Sequence, residues 1–169
     1  MRKTFPALVL AAAALFALAA CNKTEQPQQA AVEQAPAVET MPVNPTDKTA
    51  WKKYLVSVVT ANMQGVKSNH PYMYFVPSGD DDAAKADRAN QLDNVKTVVA
   101  RGVLPGNMMA FGGPDSKLTA DLITESFKDA QAGSFKDVVV LFVGAPGDYE
   151  TVKQALATSG ATARFVEAK

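Results

Sequence analysis

The sequence predicts a small α/β domain: a three-layer sandwich around a mostly parallel four-stranded sheet, with a helix first. Two observations in residues 47–169 predict this class. Helical stripes of apolar residues alternate with short apolar runs, and helices of ten or more residues separate the runs, which is the spacing that parallel strands require. The chain has 169 residues, which suits one ordinary domain rather than two.

The first predicted helix begins near Thr46 or Asp47, because either side chain can cap free backbone N–H groups. Gly65 lies near its end. Between them, apolar residues recur at helical spacing: Ala50, Trp51, Tyr54, Leu55, Val58, Val59 and Met63. Such a helix, placed before the first strand, is expected to cover one face of the sheet.

Four apolar runs are predicted to be strands: 72–76, 107–111, 138–143 and 162–166. Three further helices are predicted between them, with stops at glycines: Gly102, Gly133 and Gly160. The third run has six consecutive apolar residues, mostly β-branched, which is typical of a central strand buried on both faces.

The strand order is expected to be 2-1-3-4. The first and third runs are the most apolar, so we expect them to lie inside the sheet. The alternative is that one of the weaker strands runs antiparallel.

Polar side chains cluster in the loops that follow the first three strands, residues 77–82, 112–116 and 144–148. In a parallel sheet these loops share the carboxyl edge, where open α/β folds bind ligands. The candidate ligand-binding residues are Ser78, Asp80, Asp81, Asp82, Asp115, Ser116 and Asp148. If the first and third strands are neighbours, Asp80, Asp81, Asp82 and Asp148 border one crevice and could hold Mg²⁺ or Ca²⁺.

Helix capping is the favoured interpretation of these residues. Asp115 or Ser116, Asp148 and Asp82 stand where helix N-caps are expected, and a cap accounts for such side chains without any ligand. Whether a metal binds there stays open.

The amino-terminal segment has the pattern of an export signal. Arg2 and Lys3 precede an uncharged apolar run, residues 5–20, which ends in Leu18-Ala19-Ala20-Cys21. This arrangement is typical of a secretory signal, and its last four residues resemble the lipobox of bacterial lipoproteins. The resemblance implies that residues 1–20 are removed and that Cys21 is lipidated. Asn22 is not aspartate, which by the same resemblance favours the outer membrane, with the domain in the periplasm.

Residues 21–46 are predicted to be a disordered tether. They are rich in proline, glutamine and alanine, and they contain no aromatic residue. Such a segment buries too little apolar surface to offset the entropy lost on ordering. The folded domain is therefore expected at residues 47–169.

Composition argues against several functions. The 17 basic and 17 acidic residues balance, whereas nucleic-acid-binding proteins usually carry a basic excess. No phosphate-binding glycine motif is present, and no cofactor is predicted. His70 is the only histidine. It precedes the first predicted strand, at the opposite edge of the sheet from Ser78 and Ser116, so a catalytic Ser–His pair is not expected.

These observations favour a non-enzymatic lipoprotein that binds another envelope protein as an adapter. The partner would belong to secretion or pilus machinery, or be a toxin or hydrolase that the domain inhibits. The alternative is a cation-assisted hydrolase or a small-ligand-binding protein that uses the carboxyl-edge loops. Whether the protein is an enzyme stays open, although the sequence favours a protein without catalytic activity.

Overall fold

A computed structural model of the protein describes residues 37–169. The predicted signal peptide, the lipidation site Cys21 and residues 22–36 of the predicted tether lie outside the described residues. Among residues 37–169, no helix combines the length and the apolar character needed to cross a bilayer.

Helices and strands alternate along the described chain, as the sequence predicts. The elements in order are α1 (Lys48–Ala61), β1 (Tyr72–Phe75), α2 (Asp82–Arg101), β2 (Met108–Gly112), α3 (Ser116–Phe127), β3 (Val139–Gly144), α4 (Pro146–Leu156) and β4 (Thr162–Glu167). The side chain of Asp47 accepts hydrogen bonds from the backbone of Thr49 and Ala50 and so caps α1. The predicted α/β class is confirmed.

The four strands form one parallel sheet in the order β1-β2-β3-β4. The predicted order 2-1-3-4 is wrong. The buried central strands are β2 and β3, whereas β1 is an edge strand in which Tyr72 is 42% and Met73 46% exposed. The prediction ranked the strands by apolar composition, which does not decide which strand is central. The Tyr and Met side chains of β1 tolerate partial exposure at an edge, whereas the Met and Ala side chains of β2 pack well in a fully buried central strand.

Three helices cover one face of the sheet. Right-handed crossovers that all step in the same direction put their helices on the same side, and α2, α3 and α4 accordingly share one core. In it Val95, Ile123 and Val152, one from each helix, pack with Phe111 and Phe142 from the sheet. All five side chains are fully buried.

Helix α1 packs against the other face. Its side chains Trp51, Leu55 and Val58 share a second core with Ala110 and Leu141. This face is therefore covered by a single helix, which is narrower than four strands spaced about 4.8 Å apart.

The β4 side of α1 is closed by other parts of the chain. The guanidinium of Arg164, on β4, donates to the carbonyl oxygens of Asn62 and Gln64, just beyond the end of α1. Met41 packs into the α1 core, and the N–H of Glu39 donates to Ser57 Oγ over 2.9 Å. Toward β1, side chains of α1, β1 and α2 line an open groove instead.

Residues 37–46, which belong to the predicted tether, contact α1 at several points. Besides the contacts of Glu39 and Met41, Trp51 Nε1 donates to the carbonyl of Asn44 over 3.1 Å. The composition of residues 21–46 predicts disorder, but Met41 reaches an apolar surface that becomes visible only when α1 is docked. Within residues 37–169, contacts with α1 therefore begin at Glu39, upstream of the predicted domain start at residue 47.

Candidate functional site

The carboxyl edge of the sheet holds a hydrogen-bonded pair between Ser116 and Asp148. Ser116 Oγ donates to Asp148 Oδ2 over 2.5 Å and accepts from the N–H of Ala145 over 2.7 Å. These bonds join the start of α3 to the turn between β3 and α4. Gly144 makes this approach possible, since a Cβ there would lie 2.6 Å from Ser116 Oγ.

Two of the candidate aspartates cap helices. Asp81 Oδ1 accepts from the N–H of Ala84 over 2.9 Å at the start of α2. This hydrogen bond is the main cause of the lowered pKa of the Asp81 carboxyl, because an accepting carboxylate is stabilised in its charged form. Asp115 Oδ1 accepts from the N–H of Leu118 over 2.9 Å at the start of α3.

The remaining candidates cap no helix. Asp82 and Asp148 lie in the first turns of α2 and α4, where negative charge interacts favourably with the helix dipole; neither is the cap residue. Ser78, Asp80 and Asp82 make no side-chain hydrogen bond within residues 37–169.

The expected shared crevice does not form, because β2 lies between β1 and β3. Asp80, Asp81 and Asp82 follow β1, whereas Asp148 lies beyond β3 and bonds to Ser116 instead. In the part of the chain that the structure describes, no group of three or more His, Cys, Asp or Glu side chains is placed to hold a metal ion. His70 is exposed in the loop before β1, and its backbone N–H donates to Ser68 Oγ.

An open groove runs along the free edge of β1, a feature that sequence reasoning missed. It has a volume of about 620 Å³. Its lining includes side chains from two helices and the edge strand: Leu55 and Val56 of α1, Met73 and Phe75 of β1, and Asn90 and Asn94 of α2. Val56 is 48% exposed and Met73 46%, so apolar surface is accessible to a partner here.

The two walls of this groove meet at one end. Lys48 Nζ, on the first turn of α1, lies 2.6 Å from Asp87 Oδ2 on α2. Both side chains are about half exposed, so the ion pair contributes little to stability, but it shows that the helices flank the strand edge on both sides. One sequence signal for the groove exists: α2 carries polar residues at helical spacing, Asp87, Asn90, Gln91 and Asn94.

No protein-family model, curated protein or solved structure matches this chain.

Proposed function

We propose that this protein is an envelope-tethered lipoprotein whose domain acts as a non-enzymatic adapter for another envelope protein. The partner belongs to secretion or pilus machinery, or is a toxin or hydrolase that the domain inhibits. The observation that carries the proposal is the open groove at β1, where Val56 and Met73 are each nearly half exposed beside the buried core. Accessible apolar surface bordered by polar residues is typical of interaction sites.

The carboxyl edge of the sheet supports a binding role over a catalytic one. Open α/β folds use this edge for ligands, but here Asp81 and Asp115 accept hydrogen bonds from helix backbones, and Ser116 bonds to Asp148. Asp81 and Asp115 each cap the start of their own helix, and the Ser116–Asp148 pair joins the start of α3 to the first turn of α4. The sequence-based alternative, a cation-assisted hydrolase or small-ligand-binding protein, gains no favouring observation from this arrangement.

Anchoring would add to the affinity for a membrane-bound partner. Acyl chains on Cys21 would hold the domain at the bilayer, since each buried CH₂ contributes about 0.8 kcal/mol. A domain restricted to the membrane surface meets partners there at a raised effective concentration. Because the tether links the domain to the anchor, the groove could reach proteins in the same membrane.

The test is capture from membranes. The full chain is expressed with an affinity tag at its carboxyl terminus in a Gram-negative host, extracted in mild detergent and purified. We expect a stoichiometric envelope protein to co-purify. A solitary monomer in several detergents would contradict the adapter function, and a raised melting temperature in excess Ca²⁺ or Mg²⁺ that Asp148→Ala abolishes would favour the alternative.

Anchoring is tested separately with Cys21→Ser. The wild-type chain should sediment with membranes and carry the mass of an acylated, processed protein. The variant should keep its unprocessed mass, because the lipid acceptor is missing. If the wild-type chain has the same mass and processing as the variant, the lipoprotein assignment is wrong.

A further inference from the structure

We infer that the groove at β1 binds an extended peptide segment of the partner, which adds a strand to the sheet and places a carboxylate near Lys52. This inference deepens the adapter function proposed above and rests on it. It names the binding site and the chemistry of the segment: apolar side chains at alternate positions and one acidic residue.

The backbone of β1 offers unpaired hydrogen-bonding groups. The N–H of Val76 donates to β2, and alternation along a strand then directs the N–H and C=O groups of Met73 and Phe75 away from the sheet. The next outward carbonyl, that of Pro77, accepts from Arg88 Nη1 over 3.1 Å, which is consistent with this direction. Within residues 37–169, β1 pairs with β2 alone.

The four residues of β1 themselves are open to strand addition. Within β1 itself, the sequence Tyr-Met-Tyr-Phe carries no charge or proline that would block strand addition, and Pro71 and Pro77 limit the accessible edge to this short stretch. Its four residues span about 13 Å at 3.3 Å each. The edge therefore fits an extended segment of about four to six residues.

The helices that flank the edge leave room for a single peptide strand but not for a second copy of the domain. Lys48 of α1 and Asp87 of α2 touch across the end of the groove, so both helices extend beside the edge of β1. Two such edges could not approach within the 4.8 Å that sheet pairing requires without collision of their helices. A lone peptide segment fits between the walls.

The side chains of the walls define the preferred chemistry. Met73 and Phe75 offer apolar surface at the strand, and Asn90 and Asn94 on α2 carry amides that can both donate and accept hydrogen bonds. Lys52, on α1, also lines the groove; it is exposed and makes no ion pair within residues 37–169. A carboxylate on the peptide would complement this cation.

The experiment selects peptides on the full chain. A phage-displayed library of random heptapeptides is panned against the detergent-extracted protein, and the enriched sequences are made synthetically. We expect alternating apolar residues with one Asp or Glu. On binding, the backbone amides of Met73 and Phe75 should exchange with solvent at least tenfold more slowly, because they gain hydrogen-bond partners.

Variants test the location. Met73→Lys places a charge on the apolar surface that β1 contributes to the groove, and it should weaken binding of the selected peptides at least tenfold. Because Lys52 is exposed, we expect Lys52→Glu to leave the fold intact. It should weaken the binding of the acidic peptides by a similar factor. The matched control is Leu104→Lys, at a residue that is 77% exposed in the loop before β2 and outside the groove, and it should leave binding unchanged.

Three results would overturn the inference: no enrichment, peptides that bind Met73→Lys as tightly as wild type, or binding without slower exchange at Met73 and Phe75. Self-association that Met73→Lys abolishes would show a second copy as the occupant instead. The adapter function is judged apart from this. A captured envelope partner that still binds Met73→Lys refutes the groove alone, whereas peptide docking without any captured partner refutes the adapter function alone.

Discussion

Replacement of Gly113 by alanine should destabilise the domain strongly, because the turn after β2 passes directly against Val76, the residue that follows β1. An alanine Cβ at this position would lie 2.0 Å from the carbonyl oxygen of Val76 and 3.0 Å from its carbonyl carbon. Both contacts are with backbone, so no side-chain rotation can relieve them. The two segments would have to separate by roughly 1.4 Å to restore van der Waals contact.

The cost follows from the neighbouring hydrogen bond. The N–H of Val76 donates to the carbonyl of Gly112 over 2.9 Å, and separation of the segments stretches this bond. Overpacking costs about 1–3 kcal/mol and a hydrogen bond contributes about 1 kcal/mol, so we expect a loss of about 2.5 kcal/mol. For a domain of this size, that loss lowers the melting temperature by roughly 9 °C.

Thermal and urea unfolding of the chain from Asn22 onward would measure this effect. Gly147→Ala is the matched control, since its Cβ would have no atom within 4 Å and alanine favours helix α4. It should leave stability unchanged or raise it by up to about 1 kcal/mol. A melting temperature for Gly113→Ala within about 2 °C of wild type would refute the close approach of β1 to this turn.

Three further results are expected. Ser116→Ala and Asp148→Ala should show a coupling energy of about 1 kcal/mol in a double-mutant cycle by urea unfolding; additive effects would contradict the hydrogen bond between them. Lys96 lowers the pKa of Glu125, chiefly through a side-chain hydrogen bond. The pair therefore stabilises the fold above the unfolded pKa of Glu125 and loses this effect as pH falls, and an NMR titration should show that pKa rise toward 4.5 in Lys96→Met. Burial, with a smaller effect of the neighbouring tyrosine, raises the pKa of Tyr74 to about 12. Stability should thus fall as pH rises from 10 to about 12, and Tyr74→Phe should reduce that fall in unfolding measurements across this range.

Local chemistry made most of the elements predictable. Asp47 caps α1 as the sequence predicts, and Gly102 ends α2 with a φ of 79°, a left-handed conformation that favours glycine. The end of α1 was predicted less accurately, near Gly65. The helix stops at Ala61 with Asn62 as its cap, although Met63 continues the apolar stripe and packs into the core.

The candidate site was predicted only in part. Asp115 stands at a helix start in the sequence and caps α3 in the structure, because capping depends on residues two or three positions away. The hydrogen bond between Ser116 and Asp148 joins residues 32 apart in sequence, and no local sequence pattern predicts it. Met73 looked like an ordinary strand residue; its exposure depends on which strand occupies the edge.

By itself, the sequence determined the alternation of helices and strands, their approximate ends and the parallel character of the sheet. The tertiary structure decided the strand order, the packing of residues 37–46 against α1 and the groove beside β1. The physical reason is one of range. Periodicity, capping and crossover length act within or between consecutive elements, whereas the choice of edge strand depends on how all four helices share two faces of the same sheet.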